Sequence, residues 1–234
     1  MDRKRYIIEA KGSGIAFFDY AQDGWLDIYL TNGTRLGAKW PEGKAPTSQL
    51  FKNNRDGTFT NVTGQSGLAR TGWQTGVCVG DYDNDGWNDL FCCFWGHNIL
   101  FHNNHDGTFT DIGLMAGCAY SENGHEQAGM GVAVGDYDCD GRLDIFKTNF
   151  ADDTCNLYHN NGDGTFSEVT STSGIATNHK YVAWGCGFID YDNDGWTDIL
   201  QITGHVYPEI EWHDAGQTFK NPRILYRNVG NGQF

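Results

Sequence analysis

Apolar residues in this chain come in short runs that alternate with polar ones and end at glycine or aspartate. Gly131-Val-Ala-Val-Gly135 leads into an acidic stretch, and Leu143-Asp-Ile-Phe146 leaves it. Asn156-Leu-Tyr-His159 follows, then an Asp163-Gly164 turn, then Thr165-Phe-Ser-Glu-Val-Thr170. Runs of this length with period-2 alternation read as strands, and Asp-Gly between two of them reads as a hairpin turn. No stretch keeps a 3.6-residue period for three turns, and glycine interrupts each candidate helix. The pattern therefore predicts an all-β chain built from hairpin pairs.

The pattern also repeats. Asp19-Tyr-Ala-Gln-Asp-Gly-Trp-Leu-Asp27 recurs as Asp81-Tyr-Asp-Asn-Asp-Gly-Trp-Asn-Asp89, Asp136-Tyr-Asp-Cys-Asp-Gly-Arg-Leu-Asp144 and Asp190-Tyr-Asp-Asn-Asp-Gly-Trp-Thr-Asp198, with starts 62, 55 and 54 residues apart. A second motif alternates with it: Leu50 to Phe59, Leu100 to Phe109, Leu157 to Phe166 and Leu225 to Phe234. Four short strands in about 55 residues is the unit of a propeller blade. The expected blades cover about 10–63, 72–112, 127–170 and 181–234. Two insertions, Gly33 to Ser48 and Gly204 to Arg223, both follow the second strand of a blade and so are expected on one face. The last hairpin ends at Phe234, so the four blades are expected to form an arc of a larger, typically seven-bladed ring, with the remaining blades on a longer chain.

Charge sharpens the picture. The net charge is −14, which argues against nucleic acid as a partner. Fifteen of the 30 acidic residues lie in the four loops, leaving 15 acidic against 16 basic residues, a net of +1, elsewhere. Such local acidity points to cations. In D-x-D-x-D-G-x-x-D the carboxylates at positions 1, 3 and 5 can converge if glycine 6 turns the chain sharply, with a carbonyl at 7 and aspartate 9 completing an oxygen shell. The expected ligands are Asp19, Asp23 and Asp27; Asp81, Asp83, Asp85 and Asp89; Asp136, Asp138, Asp140 and Asp144; and Asp190, Asp192, Asp194 and Asp198. Calcium fits an all-oxygen cage better than magnesium does. Ala21 removes one ligand from the first loop, so three strong Ca²⁺ sites and one weaker one are expected. An EF-hand is excluded, because position 12 is Leu30, Cys92, Lys147 or Gln201 instead of glutamate and the flanks are strand-like. Plain Asx turns would explain one loop, but four in register favour metal.

These two motifs resemble the FG-GAP/VCBS repeats of integrin-α-like propellers. Gly14-Ile-Ala-Phe-Phe-Asp-Tyr20, the Leu157 to Phe166 segment and Gly204-His-Val-Tyr-Pro208 resemble more narrowly the cartilage-acidic-protein family, whose propellers often precede an ASPIC/UnbV domain. The resemblance implies an extracellular or periplasmic location, calcium in the loops, and adhesion or binding of a protein or glycan without catalysis. The N-terminal residues Met1 to Glu9 show no apolar signal-peptide region, and no run is long enough to span a bilayer.

An enzyme on the same fold, a polysaccharide lyase or hydrolase, is the alternative. Its candidate groups are His125, Glu126, His205, Glu209, Glu211, His213 and Asp214; no spacing singles them out, and no GxSxG, HExxH or phosphate loop is present. Trp25, Trp87 and Trp196 share loop position 7 and are expected to pack on the neighbouring blade, with a sugar-stacking platform as the alternative. His102 and His159 share a position with Lys52 and Arg227, which reads as a half-exposed strand face. Seven cysteines at irregular spacing give neither a disulfide framework nor a CxxC zinc pattern; Cys78 and Cys186 read as small buried residues.

Overall fold

The computed structural model describes residues 13–35, 37–213 and 218–234; residues 1–12 and Asp214 lie outside the described residues. The strand-turn pattern folds into consecutive antiparallel sheets. Blade 1 comprises β1 (Ile15–Phe18), β2 (Asp27–Leu30), β3 (Gln49–Asn53) and β4 (Phe59–Asn61). Blade 2 comprises β5 (Gln74–Gly80), β6 (Asp89–Gly96), β7 (Ile99–Asn103) and β8 (Phe109–Asp111). A two-residue strand, β9 (Gln127–Ala128), pairs with the end of β6. Blade 3 comprises β10 (Val132–Gly135), β11 (Asp144–Lys147), β12 (Asn156–Asn160) and β13 (Phe166–Glu168). Blade 4 holds three strands, β14 (Ala183–Ile189), β15 (Asp198–Thr203) and β16 (Ile224–Tyr226), with a Gly230–Gln233 bridge where its fourth strand was expected. Two one-turn helices, Thr63–Ser66 and Ile210–His213, lie in connections. This is an all-β, propeller-like arrangement of antiparallel blades.

Alternation decides where the core goes. Along β6, Leu90, Cys92 and Phe94 pack with Tyr29 and Leu50 of blade 1, whereas Phe91 and Cys93 pack with Ile145 and Tyr158 of blade 3. A third cluster joins Phe146 and Leu157 of blade 3 to Ile199 and Tyr226 of blade 4. The apolar cores thus lie between blades, and each blade face is complete only when its neighbour is present. Backbones approach closely there: a Cβ on Gly131 of blade 3 would stand 2.0 Å from the Trp184 carbonyl of blade 4, so only glycine fits.

Polar latches accompany the cores. The side-chain amides of Asn103, Asn160 and Asn228 donate to the carbonyls of Tyr20, Tyr82 and Tyr137 in the preceding blade, at 3.0, 2.7 and 2.8 Å. Loop position 4 reaches the other way, to the glycine carbonyl of the next loop: Gln22 to Gly86, Asn84 to Gly141 and, through sulfur, Cys139 to Gly195. The seven cysteines are free thiols, and Cys92, Cys93, Cys118 and Cys155 are buried. No helix among the described residues is long and apolar enough to cross a membrane.

Candidate metal centres in the blade loops

Each acidic loop joins the first and second strands of a blade, and its position-9 aspartate begins the second strand. In all four loops the position-1 carboxylate is gripped by backbone N–H groups of positions 5 and 6. Asp81 accepts from Asp85 N at 3.0 Å and Gly86 N at 2.8 Å, and Asp19, Asp136 and Asp190 do the same. Position 4 takes a left-handed conformation, with φ of 51° at Gln22, 57° at Asn84, 61° at Cys139 and 58° at Asn193, and the position-6 glycines follow at φ 85–90° or 84°. This tight turn brings position 1 beside positions 3 and 5. One carboxylate oxygen each from Asp81, Asp83 and Asp85 lie within 4.8 Å of one another, as do those of Asp136, Asp138 and Asp140.

The position-9 aspartates, Asp27, Asp89, Asp144 and Asp198, are buried and brace the blade. Asp89 Oδ2 accepts from Tyr82 N and its Oδ1 from Asn103 N; Asp27, Asp144 and Asp198 repeat the arrangement. Burial, helped by the carboxylates at positions 3 and 5, pushes Asp89 and Asp144 up to about 7 against those backbone donors. Burial likewise raises Asp83 and Asp138. Carboxylates so placed need a counter-cation to remain ionised together.

The strand position that read as a half-exposed face supplies side chains to this charge. Lys52 lies 3.4 Å and Arg55 3.1 Å from Asp23; Arg55 holds that carboxyl below its ordinary range. Arg227 contacts Asp192 at 2.9 Å and Asp194 at 3.2 Å. His102 and His159 place Nδ1 3.4 and 3.3 Å from Asp83 and Asp138. In the third loop Arg142 pairs with Asp140. Sequence reasoning missed this role. The signal was available: each residue immediately precedes the asparagine whose N–H holds aspartate 9, so it faces the same loop.

The residues present fit a hard divalent cation. Oxygens no more than 4.8 Å apart can share one ion at about 2.3–2.6 Å from each, and Asp138 Oδ1 is buried with no hydrogen-bond partner. The contacts of the position-7 tryptophans differ from blade to blade. Trp25 is exposed, Trp87 of the inner hairpin stacks on His105 of the outer hairpin of the same blade at 4.9 Å, and Trp196 lies against Gly230 of its own blade. Of the alternative catalytic groups, His125 and Glu126 lie on the connection before blade 3, and His205, Glu209 and Glu211 on the blade 4 insertion. His205 Nδ1 accepts from Tyr207 N and Glu211 Oε1 from Phe219 N, which gives both local structural roles.

The chain matches the FG-GAP-like repeat over residues 19–92, 81–146 and 149–200. No curated protein matches it. Among solved structures it is similar to an Agrocybe aegerita lectin described for specific recognition of non-reducing terminal N-acetylglucosamine, at 19% identity and a TM-score of 0.42 over 93% of this chain and 52% of that one. It is also similar to a Photorhabdus luminescens Tc holotoxin pore, at 15% identity and a TM-score of 0.44 over 82% of this chain and 8% of that one. The chain spans about half the length of the first and under a tenth of the second. With the repeat matched three times over most of its length, the chain belongs to the FG-GAP-like repeat family.

Proposed function

We propose that the chain is a calcium-braced binding scaffold, extracellular or periplasmic and without catalytic activity, that presents a protein- or glycan-binding face. One observation carries the calcium reading: the same loop geometry, with position 1 clamped by the N–H groups of positions 5 and 6, recurs in all four blades. Asp81, Asp83 and Asp85, Asp136, Asp138 and Asp140, and Asp190, Asp192 and Asp194 would hold the ion, with aspartate 9 at the rim. The first loop has only Asp19, Asp23 and Asp27, and Lys52 and Arg55 already oppose its charge, which supports a weaker site there. The location rests on the family resemblance. A groove of about 380 Å³ between blades 3 and 4, lined by Tyr137, Asp138, Thr172, Trp196 and Gln233, supports a glycan ligand, since an aromatic face beside polar groups suits a sugar ring.

Calcium that binds only the folded chain adds about 2.7 kcal/mol per site at a hundredfold excess over Kd. Chelation is therefore expected to lower the melting temperature steeply, and NaCl at equal ionic strength, which only screens, is not expected to restore it. Melting that ignores calcium in a folded sample would reduce the loops to ordinary turns.

A further inference from the structure

The hairpin of the second motif sets two positions, three residues apart, beside each acidic loop: Lys52 and Arg55, His102 and His105, His159 and Gly162, Arg227 and Gly230, so that blades 3 and 4 bring one side chain there and blades 1 and 2 bring two. Blade 2 alone has two imidazoles there. His105 Nε2 is 2.6 Å from Asp85 Oδ2, and its ring is held by stacking on Trp87 at an interplanar angle of 15°. The His102 and His105 rings are 6.1 Å apart. Asp85, His102 and His105 each offer a ligand atom within 4.8 Å of the other two. His102 Nδ1 is buried, has no hydrogen-bond partner, and lies 3.4 Å from Asp83 and 3.5 Å from Asp89. A buried ring nitrogen with no hydrogen-bond partner, beside carboxylates, suits a cation.

Two imidazole nitrogens and one carboxylate are the wrong donors for Ca²⁺, which selects oxygen, and the right donors for Zn²⁺ and its first-row neighbours. A zinc ion about 2.0–2.1 Å from each donor spans tetrahedral ligand pairs of roughly 3.3 Å, so His105 and Asp85 need part by less than an ångström to admit it. His105 and Asp85 are partly exposed, which gives the ion an entry path.

We propose that blade 2 carries a borderline transition-metal site, formed by His102, His105 and Asp85 with a fourth position open to solvent, and that it selects a Zn²⁺-class ion where the oxygen-only loops select Ca²⁺. The site shares Asp85 with the calcium ligands proposed for the second loop, but its two histidines do not depend on that reading. Blade 3 is the internal control, because Gly162 stands where blade 2 has His105.

Co²⁺ in excess Ca²⁺ at about pH 7.5 is the test. One Co²⁺ per chain is expected, with the intense visible bands of a four- or five-coordinate ion, displaced by Zn²⁺ and not by Ca²⁺. His105→Gly keeps the fold, because glycine occupies that position in blades 3 and 4 and His105 has φ +66°. It is expected to weaken Co²⁺ binding about a hundredfold, and His102→Gln similarly, while His159→Gln leaves it unchanged. Unaltered melting temperatures without metal would confirm that the variants fold. Co²⁺ binding that survives His105→Gly, or that Ca²⁺ displaces at equal concentration, overturns the proposal. Neither outcome bears on whether calcium raises the melting temperature, so the two readings fail separately.

Discussion

Cys139 shows how much one side chain carries. It occupies loop position 4 at φ +61°, where Asn84 and Asn193 stand in the equivalent turns and asparagine tolerates the left-handed region better than most residues. Its sulfur reaches Gly195 O at 3.6 Å, where Asn84 gives an amide hydrogen bond to Gly141 O at 3.3 Å. Cys139→Asn is therefore expected to stabilise the protein by about 1 kcal/mol in urea titration, and Cys139→Ser to do little; loss of stability in the asparagine variant would show that the sulfur contact matters more than backbone fit. Lys147 makes the opposite case. It is fully buried in β11, with Nζ 2.7 Å from Gln127 Oε1, and burial lowers its pKa against the pull of neighbours such as Asp153. The unfolded chain binds this proton more tightly than the folded one, so stability rises with pH between the lowered value and about 10.4. Lys147→Met, similar in volume, is expected to gain about 1–4 kcal/mol near neutral pH. That gain should shrink as pH rises; a gain independent of pH, or a loss, would sink the account.

The hairpin elements were the most legible part of the sequence, because Asp-Gly turns and period-2 runs are local signals. Asp163-Gly164 and its three counterparts mark the outer hairpins, and the acidic motif marks the inner ones. What sequence could not reveal depends on the neighbouring element. The amide of Asn103 meets Tyr20 O across 83 residues, and β9 pairs with β6 through only two residues, too few to alternate. The stacking of Trp87 on His105 joins the inner and outer hairpins of one blade, a contact that neither hairpin's local pattern announces. Lys52 and Arg227 do lie on a half-exposed face, and what their own strand could not reveal is that this face opens onto a loop. Element by element, calcium affinity is expected to follow these counter-cations. Arg227→Gln removes a charge from Asp192 and Asp194 and should raise Tb³⁺ or Ca²⁺ affinity at the fourth loop several-fold. Asp138→Ala should destabilise in calcium and matter much less in chelator. Equal effects in both conditions would mean that Asp138 acts through the turn alone.

At the scale of the whole molecule, the interfaces repeat but the ends differ. Tyr20, Tyr82 and Tyr137 are 6%, 8% and 4% exposed beneath the next blade, whereas Tyr191 on blade 4 is 46% exposed. At the other end Ile15 and Phe17 of β1 are 52% and 58% exposed, and the Asn53 amide has only the Leu26 carbonyl of its own blade among the described residues. Blade 4 thus displays the tyrosine carbonyl and apolar face that blade 1, by its asparagine and strand register, is built to cover. Complementary ends of this kind lead to the prediction that copies of this segment, studied alone, associate head to tail. Sedimentation velocity over a concentration series should show association that grows with concentration. Ile189→Lys on one end and Phe17→Lys on the other should each reduce it, since each places a charge in the apolar contact. Asn53→Ala should weaken it with little change in melting temperature. The buried counterpart Asn160→Ala, which loses the bonds to Tyr82 and Leu143, should cost about 1–3 kcal/mol of stability instead. A monomer at every concentration, or association untouched by both lysine variants, would show that the two ends do not recognise each other.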